Sequence, residues 1–399
     1  MKKICLGVVG IVLTFFSAYA QTPQKDSSAY KSKKLTFEEA NLVSSYYKQD
    51  GNNAAVTGGI GSQKLSDISN TIDVKFIKWD KKDRKHSFDL EVGLDHYTSA
   101  SSDLVDLKAN SSASHADTRI FPSVSWSMEN EKNGTTIGAG LSSSTEFDYQ
   151  SIGVNINFSK KTNNRNGEFT AKAQAYIDKV SLIYPTELRS GGGGDDDDDY
   201  ATTARNSYSG SLSYSQIINQ RLQIMFIADL ISQKGLLSLP FYRVYFNDNS
   251  VQKENLPDTR MKIPLGFRAN YFIGDKVILR TFYRYYHDDW GLTAHTVEVE
   301  TPVKVTPFFS ITPFYRYYKQ TAVDYFAPYK THISSNQYYT SNFDLSAFNS
   351  NFYGAGIRLT PPKGVFGIQQ LNMLELRYGH YTRTNGLNSD IVSMNLKFK

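Results

Sequence analysis

The stretch FDLEVGLD at residues 88 to 95 puts Phe88, Leu90, Val92 and Leu94 on one side of an extended chain and Asp89, Glu91, Gly93 and Asp95 on the other. Successive side chains of a strand point to opposite faces, so this segment reads as a strand with one oily and one charged face. The pattern returns at Ile152/Val154/Ile156/Phe158, at Leu222/Ile224/Phe226/Ala228/Leu230, at Ile263/Leu265/Phe267/Ala269/Tyr271 and at Leu374/Leu376/Tyr378. Two environments suit such strands. One is a soluble sandwich, and the other is a membrane-spanning barrel whose oily face meets lipid and whose polar face lines a lumen.

Connection lengths separate the two, because outer-membrane barrels alternate short turns on one side with long loops on the other. Here tight or short links at 80 to 85, 129 to 134, 160 to 166, 219 to 220, 274 to 275, about 306, and 361 to 369 alternate with links at 100 to 117, 143 to 149, 179 to 205, 232 to 258, 287 to 292, 321 to 348 and 383 to 389. The long members all fall on one side. Both ends of the barrel belong on the short-turn side, which requires an even strand number. Fifteen strands from Thr71 onward break that parity, and a strand at 41 to 48, followed by the glycine-rich VTGGIG at 56 to 61, restores it. The expected fold is all-β: a transmembrane antiparallel up-and-down β-barrel over 40–399 of about sixteen strands, with fourteen as the alternative.

Upstream, Lys2 and Lys3 precede an apolar run from Ile4 to Phe16 and then Ala18-Tyr19-Ala20, the layout of a signal peptide over residues 1–20. Residues 21–39 then read as a periplasmic segment. Cys5 lies within the signal, so the mature chain is expected to have neither disulfides nor thiolate metal sites. The mean hydropathy of -0.43 does not argue against a membrane protein, because alternating strands leave a weak hydropathy signal. The 27 Tyr and 24 Phe suit aromatic girdles at the two interfaces. A dispersed net charge of +5 gives no nucleic-acid footprint. The expected location is the outer membrane of a Gram-negative-type bacterium, with its lipids as partners. The last strand sends Val392, Met394, Leu396 and Phe398 outward and Ser393, Asn395 and Lys397 inward, and resembles the C-terminal signal read by barrel-assembly machinery, although Lys399 follows the aromatic residue.

The strings YYKQDG at 46 to 51, VTGGIG at 56 to 61, LPDTR at 256 to 260, YRYYHDDWG at 283 to 291 and YRYYKQTAVDYF at 315 to 326 together resemble the bacterial domain of unknown function 3570. The resemblance is dense at the start of the mature domain and in its second half. It implies an envelope protein of undefined activity and carries no catalytic or ligand-binding residue with it.

The near-copies FYRYYHDDW from Phe282 and FYRYYKQTA from Phe314 predict two strands running the same way, with an acidic strand between them. If Tyr283, Tyr285, Val297 and Val299 face lipid, then Arg280, Phe282, Arg284 and Tyr286 face the lumen, as do Glu298 and Glu300, and Phe314, Arg316 and Tyr318. Arg280, Arg284, Glu298, Glu300 and Arg316 then form a lumen charge ladder. Either they satisfy one another and brace the wall, or they line a pore and set its selectivity. At the outer mouth, His287, Asp288, Asp289, Asp258 and Asp324, with Arg260 and His295, are expected to tie the loops together; a divalent cation is the alternative. The string SGGGGDDDDDY at 190 to 200 reads as a solvated loop, with Asp195, Asp196, Asp197, Asp198 and Asp199 offering at most weak Ca²⁺ ligands and no EF-hand spacing. No other cofactor is expected. Seven scattered histidines stand beside no nucleophile motif, so no enzyme is expected. Two functions fit: a pore or facilitated transporter for small solutes, favoured because sixteen strands enclose a channel, and a non-conducting scaffold for a partner in an envelope complex, to which the inward aromatics that narrow the lumen point.

Overall fold

The computed structural model describes residues 33–99, 116–189 and 200–399. The chain runs as an antiparallel meander: β1 (Thr36–Asp50), β2 (Leu65–Trp79), β3 (Lys85–Ser99), β4 (Ala116–Asn130), β5 (Thr135–Thr145), β6 (Tyr149–Lys161), β7 (Gly167–Ser181), β8 (Thr202–Asn219) and β9 (Leu222–Gly235). A small hairpin, β10 (Arg243–Tyr245) with β11 (Val251–Lys253), sits in the loop that follows. The wall resumes with β12 (Thr259–Ile273), β13 (Val277–Asp288), β14 (Thr293–Glu300), β15 (Val303–Thr306), β16 (Phe309–Gln320), β17 (Phe348–Leu359), β18 (Leu371–Arg383) and β19 (Asn388–Phe398).

The sheet closes because β1 pairs with β2 on one side and with β19 on the other, from Ala40 opposite Phe398 to Asp50 opposite Asn388. Strands β14 and β15 are one stave, since both pair with β13 and with β16. The break falls at Thr301 and Pro302, where proline has no N–H to donate to the ladder. The barrel therefore has sixteen staves, not fourteen, and the first begins at Thr36, earlier than residue 40. Closure removes the sheet edges, so the strands' backbone polar groups find their partners within the wall. No helix among the described residues is long and apolar enough to cross a membrane. The crossing elements are the strands.

Alternation places the oily face outside. Val92 is 54% exposed and Ile156 64%, whereas Asp95, one face over, is 6% exposed. Tyr46, Tyr208, Tyr283, Tyr315, Tyr353 and Tyr378 are likewise exposed on the outer face. At the turn end, 360–370 folds back along the outer wall, so that Val365 covers Leu371 and Leu374 against Met394, Leu396 and Phe398.

The other end is capped by segments 51–64, 182–189, 236–258 and 321–347. Arg243, fully buried, donates Nη1 to the Val56 carbonyl at 2.7 Å and grips Glu187 through Nε and Nη2, tying three of these loops. VTGGIG is part of the same packing. Gly58 and Gly59 have φ of 81° and 86°, and a Cβ on either would lie 2.5 Å from the Tyr245 ring or 2.7 Å from the Ser341 carbonyl. Leu256, Trp290, Leu292, Ala294 and Val323 form a small apolar core beneath, packed on lumen-facing Tyr286 and Tyr318.

Candidate functional site

Register turns the alternation of β13 to β18 into three rungs on the lumen wall. The rung nearest the loops runs Arg284, Thr296, Tyr318, Ser350, Arg383, and the middle one Phe282, Glu298, Arg316, Phe352, Tyr381. The third runs Arg280, Glu300, Phe314, Gly354, Gly379. The two glycines make room for rings: a Cβ on Gly379 would lie 2.5 Å from Phe352 and 3.2 Å from Phe314.

The expected charge ladder divides into two parts. In the lowest rung Glu300 accepts from Arg280 Nη1 at 2.7 Å and from Arg377 Nη2 at 2.9 Å, and Arg377 also reaches Glu375 at 3.6 Å. This part braces the wall, with Arg377 in place of the expected Arg316. The upper part is not paired in that way. Among the described residues, Arg284, Arg316 and Glu298 form no ion pair, although Glu298 stands directly opposite Arg316 on the neighbouring strand. Their guanidiniums lie on rings instead, Arg316 4.9 Å from the centre of Phe352 and Arg284 5.5 Å from that of Phe282. Arg268 covers the same Phe282 ring at 4.9 Å, and Arg383 stacks on Phe348 at 4.6 Å while pairing with Asp344 at 2.5 Å. Arg284, Glu298, Arg316 and Arg383, with Phe282 and Phe348, line one cavity of about 500 Å³ under the loop cap.

The remaining lumen wall differs in character. Strands β2 and β3 carry Asp73, Asp89, Glu91 and Asp95, with Asn41 of β1 donating to Asp73 at 3.1 Å and Arg119 of β4 to Asp95. Strands β5 to β8 present small groups such as Gly140, Asn155, Ser209 and Ser211, together with Lys172 in register with Ser211, and Asp178 opposite Arg205. The acidic residues of β2 and β3 and the arginines and rings of β13 to β18 thus occupy different arcs of the wall.

The residues expected at the mouth do not gather into one cluster. Asp288 is buried and accepts from Arg260 Nε at 3.0 Å, from Tyr286 hydroxyl at 2.7 Å, and from the Trp290 and Leu292 amides at 3.0 and 3.1 Å. Arg260 also lies 4.3 Å from the centre of the Trp290 ring. Asp289 caps only the Met261 amide at 2.9 Å, the Asp324 carboxylate lies against Gly291, and Asp258 is exposed with its carbonyl on the Gly235 amide. His287 and His295 share the outward parity of Tyr283 and Tyr285, and His295 bonds the Tyr283 hydroxyl at 2.8 Å on the outer face. They are therefore not mouth ligands. The acidic groups that do converge among the described residues are Asp117, Glu146 and Asp148, and burial raises the carboxyls of Glu146 and Asp148. The residues 1–20 read as a signal and the aspartates Asp195 to Asp199 lie outside the described residues.

Sequence reasoning missed the cap's interior acid. Glu254 is buried and accepts from the Thr340 hydroxyl at 2.6 Å and the Leu239 amide at 2.7 Å, and burial pushes its carboxyl up to about 7. Asn255 and Tyr339 beside it exchange backbone hydrogen bonds, joining loops 236–258 and 321–347. A lone glutamate in a loop string carries no sign of this.

The architecture defines an outer-membrane-type β-barrel of sixteen staves with a charged lumen and a folded loop cap. The chain belongs to the family described as "Protein of unknown function (DUF3570)", which matches residues 97–388. No curated protein sequence matches it. Among solved structures it is similar to OccD3 (OpdP) of Pseudomonas aeruginosa, with 8% identity, a TM-score of 0.44, and 94% of this chain and 95% of that one covered. It is also similar to a BenF-like porin of Pseudomonas fluorescens Pf-5, with 8% identity, a TM-score of 0.42, and 92% and 100% covered. The ferric enterobactin receptor PfeA of Pseudomonas aeruginosa gives 11% identity, a TM-score of 0.45, and 87% of this chain against 53% of the receptor.

Proposed function

We propose that this protein is an outer-membrane pore for small solutes, with its turn end in the periplasm and its loop cap outside. One observation carries the reading. Arg284, Arg316 and Glu298 face a common cavity without pairing, and charges whose role was to brace a wall would be matched as Arg280, Glu300 and Arg377 are. Charged lumen groups in water act on passing solutes, as charged rings do in channels. A second reading, a non-conducting scaffold for an envelope partner, is favoured by the apolar core that the loops build over Tyr286 and Tyr318.

Liposome swelling separates the two. Proteoliposomes loaded with an impermeant polymer should swell in isotonic solutions of small solutes and not in a large trisaccharide. Swelling no faster than that of empty liposomes would reject the pore.

A further inference from the structure

The geometry points to a binding site for small zwitterions, molecules carrying a carboxylate and an ammonium close together, in the cavity beneath the loop cap. This inference rests on the reading of the lumen as solute-accessible and names the solute class.

A guanidinium stacked on a ring has one face occupied and keeps its N–H edge available, which is the edge that meets a carboxylate in two parallel hydrogen bonds. Arg316 on Phe352 and Arg284 on Phe282 are held this way, one rung apart, with no carboxylate partner among the described residues. Glu298 lies in the same cavity, in register with Arg316. Cross-strand neighbours of opposite charge ordinarily pair. Here the ring holds the guanidinium aside, so donor edge and acceptor stand next to each other and apart. A ligand with one anionic and one cationic group on adjacent carbons satisfies both at once. A plain carboxylate would leave Glu298 unmet and close to its own charge, and a plain amine would face two arginines. The rings of Phe282, Tyr318 and Tyr381 line the same cavity and add apolar surface beside the charges. A volume of about 500 Å³ is in the range of small-molecule sites.

The test is calorimetric titration of the full chain in detergent micelles with three probes: L-phenylalanine, 3-phenylpropanoate, which lacks the ammonium, and 2-phenylethylamine, which lacks the carboxylate. The wild-type protein should bind L-phenylalanine about tenfold or more tightly than either of the others, the discrimination that a charged hydrogen bond supplies. Glu298→Gln should bring L-phenylalanine and 3-phenylpropanoate to within about twofold, and Arg284→Gln or Arg316→Gln should weaken both by about tenfold. Folding of each variant is checked by heat-modifiable gel mobility, and the wild-type ranking needs no variant. Equal or tighter binding of 3-phenylpropanoate by the wild type would overturn the zwitterion site, as would absence of heat with all three probes. Swelling of liposomes without the ranking would reject the site alone, and the ranking without swelling would reject the pore alone.

Discussion

Asp288→Ala should unlock the mouth of the barrel. The carboxylate has no exposed side-chain surface and accepts from Arg260, from the Tyr286 hydroxyl and from the amides of Trp290 and Leu292. Its removal leaves the Arg260 guanidinium, 12% exposed, without a counter-charge, at a cost of about 3 to 5 kcal/mol for a broken buried pair. Two amides lose their acceptor as well, each worth about 1 kcal/mol or more. These terms share partners and do not add fully, so a loss of about 4 kcal/mol is expected, local to the turn at 289–292 and the apolar core that it roofs. Asp289 is the internal control, because it is exposed and, among the described residues, accepts only the Met261 amide. Hydrogen exchange at the Leu292 and Asp324 amides is the assay. A loss of about 4 kcal/mol corresponds to exchange about a thousandfold faster in Asp288→Ala, against a few-fold at most in Asp289→Ala. Matching rates in the two variants would show that the buried carboxylate does not hold the mouth.

Arg284→Ala should leave the thermal midpoint nearly unchanged, since an exposed stacked cation contributes about 0.5 to 1 kcal/mol, while cation preference rises; a large loss of stability would return Arg284 to the wall brace. Gly379→Ala should destabilise the barrel by about 1 to 3 kcal/mol by pushing a methyl into Phe352, which a thermal melt reports; a neutral outcome would mean that the rings are loosely held. Glu254 gives a pH dependence. Its folded-state value of about 7 lies above the ordinary 4.5, so cap stability is full below about pH 4.5 and is lost as pH rises through 7, by about 3 kcal/mol in all. Glu254→Gln should flatten that decline between pH 5 and 8, and equal slopes in the two proteins would exclude Glu254 as its source. On fractionation the wild-type protein should sediment with outer membranes and run as a heat-modifiable band, and recovery as a detergent-free soluble monomer would contradict the location.

Period-2 alternation made the barrel, its parity and the facing of most strands readable, because a strand's face depends only on whether a position is odd or even. The same parity, carried two residues further along β13, would have sent His287 outward with Tyr283 and Tyr285. What alternation does not encode is partnership at a distance. Glu300 meets Arg377 from three staves along the wall, Arg243 meets Glu187 and Val56 across three loops, and Thr340 finds Glu254 from another loop. None of these pairs has a local signature. The division of the ladder into a braced rung and an unpaired one likewise depends on the ring stacking of Arg284 and Arg316, which is decided by neighbours on adjacent strands. VTGGIG was visible as glycine-rich, but the reason for its glycines lies in Tyr245 and Ser341 far along the chain.

The central claim, an aqueous path lined by Arg284, Arg316 and Glu298, is tested most directly by single-channel recording from the purified protein in a planar bilayer under a salt gradient. The path predicts discrete conductance steps whose reversal potential moves toward cation preference in Arg284→Gln and toward anion preference in Glu298→Gln. Persistent silence of folded, heat-modifiable protein, or steps whose reversal potential ignores both substitutions, would contradict it.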